Sequence, residues 1–161
     1  MRLSRTAIVS GLLIIAAAAS AAAQTATQTV TFQVDAINQV AVTGTPTLDI
    51  NAAVAGGAPT TVTSSGNTWA VTTNQTTAKI TASIASNMPA GLTLSATLGA
   101  PAGATSAGIK SLSTVAVDIV TGITKLNAPG LALVYQLDAT PAAGVVVSST
   151  RVVTYTITGG V

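Results

Sequence analysis

The chain has 161 residues, of which 48% are hydrophobic and 6% charged, and it contains neither His nor Cys. The absence of both residue types excludes His-based catalytic triads, Cys nucleophiles, Cys/His zinc sites, disulfides and a lipid-modified Cys anchor. The few Lys and Arg are scattered along the chain rather than clustered, which argues against nucleic-acid binding.

The first 23 residues have the layout of a secretory signal peptide. Two early Arg precede an apolar stretch over residues 7–19 and a small-residue region that ends at Ala23, so cleavage is predicted before Gln24. The alternative is a retained membrane anchor, but the apolar stretch is shorter than the roughly 20 residues that a spanning helix needs. We therefore expect a signal helix over residues 1–23 and an exported mature domain, residues 24–161, without a stable membrane span. Such a protein would be secreted, periplasmic or at the cell surface.

The N-terminal segment, residues 28–34, is the first with a clear strand pattern. Val30, Phe32 and Val34 fall on one side of an extended chain, and Thr or Gln residues fall on the other, as in a strand with one buried face. The alternation slips in phase at Asp35, which predicts a bulge or a hinge. Two alternatives follow: the segment pairs within its own domain, or it is separate and the domain begins with a later strand.

Farther along, short apolar alternations separated by Gly, Pro and Asn predict an all-β domain. No repeat of fixed period and no internal domain boundary is visible. We predict a single immunoglobulin-like two-sheet β-sandwich of seven to nine strands, with a hairpin joining residues 68–73 to 78–84 and a turn at residues 127–130. The other predicted strands cover residues 37–42, 48–50, 92–98, 115–119, 131–137 and 151–158.

The acidic residues do not suggest catalysis or metal binding. There are four Asp and no Glu, and no two Asp lie close enough in sequence to suggest the paired carboxylates of a hydrolase. The pairs Asp35/Asn38 and Asp49/Asn51 lack the alternating acidic ligands of a calcium loop, so side-chain hydrogen bonding in turns is the favoured interpretation. We therefore expect neither an enzyme nor a cofactor.

The four aromatic residues of the mature chain all lie within apolar alternations, which predicts that they belong to the core. They are Phe32, Trp69, Tyr135 and Tyr155. Trp69 follows a turn signal and is the best candidate for the alternative, an exposed platform that stacks against a sugar.

Self-association is the function that these exclusions leave. The N-terminal segment carries no charge and no Pro, so it could template pairing with another chain. In donor-strand complementation, an extended terminal segment adds a strand to a neighbour, and Val30, Phe32 and Val34 would be the inserted side chains. Once Arg2 and Arg5 leave with the signal, four Lys or Arg balance four Asp, and a neutral chain has little colloidal repulsion.

In layout the chain resembles the small secreted β-sandwich subunits of bacterial surfaces, of the fimbrial and spore-coat-U type. The resemblance lies in the signal peptide, the Thr-rich residues 29–34, the turn at residues 141–144 and the closing strand at residues 150–157. Many such subunits carry a disulfide, and this chain has no Cys. The resemblance implies a structural, self-associating role and assigns no site residues.

The expected function is therefore that of an exported, non-enzymatic structural or surface protein, a subunit of a fibre, coat or matrix. Its partners would be copies of itself or other envelope proteins. The alternative is a monomeric extracellular module that binds a glycan or protein through the loops at residues 52–59 and 99–108. An open apolar edge near the termini would favour the first function, and an exposed aromatic residue in the loops would favour the second.

Overall fold

A computed structural model describes residues 23–160. The predicted signal peptide, except for its last residue, lies outside this range. The chain divides into two units, one ending at Gln33 and the other beginning at Val34. The described part of the first unit, residues 23–33, contains neither helix nor strand.

The second unit is built from β-strands, and its described residues contain a single helical piece, a 3-10 turn at Pro141–Ala143. None of the described residues belongs to a helix with the length and hydropathy of a membrane span. The strands are β1 (Asn38–Thr43), β2 (Val62–Thr63), β3 (Asn67–Thr73), β4 (Thr76–Ile84), β5 (Leu92–Leu98), β6 (Thr105–Ser106), β7 (Lys110–Ser111), β8 (Val117–Ile123), β9 (Leu126–Ala139) and β10 (Val153–Gly160).

These strands form two antiparallel sheets that pack as a sandwich. The larger sheet has the order β1-β3-β9-β5-β7, with β2 also paired to β9, and the smaller sheet has the order β10-β4-β8-β6. The predicted all-β, two-sheet sandwich is thus confirmed. The structure describes seven strands of six or more residues, and the other three have two residues each.

The core lies between the sheets because the strands alternate in polarity. In β4, Ala78, Ile80, Ala82 and Ile84 are buried, and the residues between them face outward. Each large apolar side chain that is fully buried contributes roughly 1.5–3 kcal/mol to folding. The largest such side chains are Trp69, Ile80, Leu98, Ile119 and Ile123.

The predicted hairpin between residues 68–73 and 78–84 is wrong. Both stretches are strands, but β3 belongs to the larger sheet and β4 to the smaller one, so the link at Asn74 and Gln75 crosses between sheets. An alternation of period two shows which face of a strand is buried but not which strand lies beside it. Since β3 and β4 both face the same core, their alternation is the same in one sheet or in two.

Two other local predictions are also wrong. Residues 48–50 form no strand. The predicted turn at residues 127–130 lies inside β9, where the register against β3 shifts between Trp69 and Val71. Such an irregularity tolerates a Pro within a strand, and Gly130 supplies the positive φ of 65°.

Trp69 is a core residue, and the alternative of an exposed sugar platform is wrong. Its side chain is 1% exposed, and its indole Nε1 donates a hydrogen bond to the Gly99 carbonyl oxygen at 3.1 Å. Strand β3 turns the Trp69 side chain inward together with Val71, and the indole N–H finds the partner that a buried Trp requires.

Candidate functional site

The strand predicted for the N-terminal segment is not formed in the described part of the chain. Residues 28–34 have no strand structure, and the first strand of the described chain is β1. The side chains that alternate along the segment are open to solvent: Val30 is 72% exposed, Phe32 is 89% exposed and Val34 is 77% exposed. Three large apolar side chains at period two are therefore available for another partner.

Asn74 determines where the chain enters the sandwich. Its Nδ2 donates to the Asp35 carbonyl oxygen at 2.7 Å, and its Oδ1 accepts from the Ile37 amide at 2.8 Å. Residues 35–37 are thus held at the link between β3 and β4. The phase slip at Asp35 predicts a bulge or hinge there, but the contacts of Asn74 are not visible in the sequence, because Asp35 and Ile37 lie nearly forty positions away from it.

The four strands at the sheet edges differ in length. On one side of each sheet the edge strand, β7 or β6, has two residues, and very short edge strands resist pairing with other chains. On the other side the edge strands are β1, with six residues, and β10, with eight. The sandwich therefore leaves its long edges, β1 and β10, on the same side.

Pairing registers show how these two edges are related. Asn38 in β1 lies opposite Thr73, and Gly160 in β10 lies opposite Thr76. Because Thr73 and Thr76 flank the link between the sheets, β1 begins and β10 ends at the same end of the sandwich. There the two strands approach closely, since a Cβ atom at Gly159 would lie 2.5 Å from Asn38 Nδ2.

At the opposite end a groove separates the chain segments that continue these two strands. Residues 44–52, which follow β1, and residues 144–152, which precede β10, have no strand structure. Residues 47–53 and residues from 139–149 line a groove of about 920 Å³, together with Met88, Leu92 and Leu137. The side of the sandwich between β1 and β10 is thus closed at one end and open at the other.

The inner face of β10 is incompletely covered. Val153, Tyr155 and Ile157 pack against the core but remain only partly buried, whereas the neighbouring β4 buries Ile80 and Ile84 almost completely. Strand β10 has β4 on one edge and no strand on its other edge among the described residues. An added strand could pair with that free edge and complete the burial.

A hydrogen bond between two tyrosines joins β10 of the smaller sheet to β9 of the larger sheet. The Tyr155 hydroxyl on β10 donates to the Tyr135 hydroxyl on β9 at 3.0 Å. Burial raises the pKa of both phenols above the ordinary value of 10, because a phenolate loses more hydration than a phenol when it leaves water.

These raised pKa values predict a loss of stability at high pH. Above pH 10 the unfolded chain releases phenol protons that the folded chain retains, so the free energy of unfolding falls, by up to about 1.4 kcal/mol per pH unit for each phenol that stays protonated only in the folded chain. Denaturant titrations between pH 8 and pH 12 would measure this slope. We expect Tyr155→Phe to lose about 1 kcal/mol at pH 8 with its hydrogen bond and to show a shallower decline above pH 10. A decline as steep as that of the unchanged chain would contradict this assignment.

The charged residues and the loops are also candidate sites. The described residues contain no group of three or more acidic ligands that could hold a metal ion. Lys79 and Asp118 form an ion pair of 3.0 Å on the surface, a kind that contributes at most about 1 kcal/mol. The loops at residues 52–59 and 99–108 contain no aromatic residue, and the large exposed aromatic side chain of the described residues is Phe32 in the N-terminal segment.

Compared with protein-family models, with curated proteins and with solved structures, the chain has no significant match. Membership of the fimbrial and spore-coat-U type therefore stays a prediction. The function has to be inferred from the N-terminal segment and from the free edge of β10.

Proposed function

We propose that the protein is an exported, non-enzymatic structural subunit that associates with copies of itself. The N-terminal segment of one copy, residues 28–34, would add as a strand to the free edge of β10 in another copy. The observation that carries this proposal is that an exposed apolar strand sequence and an uncovered apolar strand edge occur in the same chain. The signal-peptide pattern of residues 1–23 supports export.

The two surfaces match in periodicity. Each offers three apolar side chains at alternate positions, so an added strand would place its three between the sheets beside those of β10. The intervening positions of both are mostly Thr, which would lie side by side on the solvent face. The apolar sets are Val30, Phe32 and Val34 on one copy and Val153, Tyr155 and Ile157 on the other.

The two surfaces also match in length. Six residues, 29–34, span about 20 Å and would face residues 153–158 of β10, short of Gly159, where β10 approaches β1. Backbone hydrogen bonds along the edge would supply affinity whatever the side chains, and the apolar positions would determine the register. Near-neutral charge in the mature chain removes a long-range barrier to the approach of two copies.

The direction of pairing follows from the closed and open ends. We infer that the added segment enters from the open end, with Val34 near Val153, and so runs antiparallel to β10, the more stable arrangement. Asn74 holds the chain at the closed end of its own sandwich. A connection from the closed end of one copy to the open end of the next is head-to-tail, and such contacts build open chains rather than closed dimers.

Disulfide trapping tests the proposal, because the chain contains no Cys that could compete with the introduced ones. A Thr31→Cys variant is mixed with Thr154→Cys, Thr156→Cys or Thr158→Cys and mildly oxidised. We expect disulfide-linked dimers with one of the three, since facing residues of antiparallel strands lie 4.5–5.5 Å apart, within disulfide range. That partner defines the register.

Thr72→Cys, on the outer face of the larger sheet, is the matched control and should not cross-link. If none of the three positions on β10 is linked and the mature protein stays monomeric at high concentration, strand addition is excluded. The monomeric binding module would then be favoured, with the groove beside residues 47–53 as the surface to test.

A further inference from the structure

The two surfaces that strand addition would join are uncharged, and a charged residue borders each of them. None of residues 24–34 and none of residues 152–161 is charged. Asp35 is the first charged residue after the N-terminal segment, and Arg151 is the last one before β10. The bordering charges are therefore of opposite sign.

Arg151 has no acidic partner within the described part of the chain. Its Nε donates to the Asn87 carbonyl oxygen at 3.3 Å, and its Nη1 donates to the Thr150 carbonyl oxygen at 2.8 Å. Both acceptors are neutral, and the ion pair found among the described residues joins Lys79 to Asp118. A guanidinium has five N–H donors, so Arg151 retains donors for a carboxylate.

Asp35 cannot supply that carboxylate to Arg151 of its own chain. Asn74 binds the Asp35 backbone at the closed end of the sandwich, just before β4 begins. Arg151 instead contacts Asn87, just after β4 ends. The nine residues of β4 span about 26 Å, far more than the reach of the two side chains. An ion pair between Asp35 and Arg151 therefore requires two copies.

We infer that Asp35 of one copy forms an ion pair with Arg151 of the next copy, at the point where the added strand enters. This inference rests on the strand addition proposed above. In that arrangement Val34 faces Val153, so Asp35 faces Val152, the neighbour of Arg151. Neither Asp35 nor Arg151 belongs to a strand, so their side chains are not held to opposite faces of a sheet.

The ion pair would determine the direction of the added strand and the depth to which it enters. In the antiparallel direction Asp35 lies at the open end beside Arg151, whereas in the parallel direction it would lie at the closed end, the length of β10 away. If the segment moved two residues farther along β10, its apolar side chains would still face the core, but Asp35 would move about 7 Å away from Arg151. The charges distinguish arrangements that the apolar alternation leaves open.

Two further charges at the ends of the sandwich are also of opposite sign. Lys125 lies at the closed end, where its amide donates to the Gln75 carbonyl oxygen at 2.9 Å. Asp49 lines the groove at the open end. Neither forms an ion pair within the residues that the structure describes. Head-to-tail contact would bring the end with Lys125 toward the end with Asp49, which favours the same orientation of the two copies.

A charge-swap cycle built on the disulfide trap tests the inference. The donor chain carries Thr31→Cys, with or without Asp35→Arg. The acceptor chain carries Thr156→Cys, with or without Arg151→Asp. Non-reducing electrophoresis measures the initial rate of cross-linking for the four combinations, and circular dichroism verifies that each variant is folded. Asp35→Asn and Arg151→Gln give a second cycle that removes the charges without reversing them. Lys110→Asp in the acceptor is the matched control, because β7 is the edge strand on the other side of the larger sheet.

We expect either single reversal to slow the cross-link at least about fivefold, because like charges then meet, and the double swap to restore the rate to within about twofold. Lys110→Asp should leave the rate unchanged. If the unswapped chains link through Thr156 but single reversals have no effect, or the double swap restores nothing, the inference fails while strand addition stands. A link through Thr154 or Thr158 instead would place Asp35 opposite another residue and would also overturn it. If none of the three positions links, strand addition fails and the ion pair with it.

Discussion

Phe32→Glu is expected to weaken head-to-tail association at least 100-fold while leaving the sandwich folded. In the single chain Phe32 is almost fully exposed, so its replacement removes no packing. In the proposed complex the same position lies between two sheets, where loss of the ring costs roughly 1.5–3 kcal/mol and burial of a carboxylate costs several kcal/mol more unless it is neutralised or paired. About 2.7 kcal/mol corresponds to 100-fold in affinity.

Sedimentation velocity of the mature protein over a concentration series would measure this loss. Thr31→Glu is the matched control, because it adds the same charge one position away on the side that faces solvent in the added strand. We expect it to retain most of the association. Equal losses from Phe32→Glu and Thr31→Glu would show that charge rather than burial is responsible, and would contradict insertion of Phe32 between the sheets.

Trp69→Ala is expected to reduce the free energy of unfolding by about 3–5 kcal/mol, as truncation of a buried Trp does elsewhere. A domain of this size is typically stable by only about 5–15 kcal/mol, so the variant would approach the unfolding threshold. The indole fills the space between the sheets, and its removal would also leave the Gly99 carbonyl oxygen without its donor.

Urea titrations followed by far-ultraviolet circular dichroism would measure this change, because the variant lacks the single Trp of the chain. Trp69→Phe keeps an aromatic ring but loses the N–H donor, and we expect a smaller loss of about 1–3 kcal/mol. A Trp69→Ala variant within about 0.5 kcal/mol of the unchanged protein would match a surface residue and would contradict the core position.

The sequence predicted the core side chains better than the pairing of strands. The strand at Leu92–Leu98 and the burial of Trp69 follow from an alternation that each segment carries by itself. The hairpin between β3 and β4 was predicted wrongly, because two strands that face one core have the same alternation whether they are neighbours in one sheet or lie in opposite sheets.

Some features of the candidate site could likewise be predicted from the sequence, and others could not. The N-terminal segment is visible in the sequence, since Val30, Phe32 and Val34 alternate with polar residues and the phase slips at Asp35. The sequence does not show that these residues form no strand in the single chain. The hydrogen bonds of Asn74 and the close approach of Gly159 to Asn38 join residues that are distant in sequence. No local sequence pattern predicts such contacts.

By itself, the sequence determined that the protein is an all-β domain whose core residues recur at period two, and the lack of His and Cys excluded their chemistry. Tertiary structure alone decided that β10 lies at an edge, that its inner face is partly covered, and that residues 28–34 form no strand in the described part of the chain. The physical reason is that side-chain alternation specifies which face of a strand is buried, a local property. Which strand lies beside it is decided by backbone hydrogen bonds between distant segments, and those bonds exist only once the two sheets have formed.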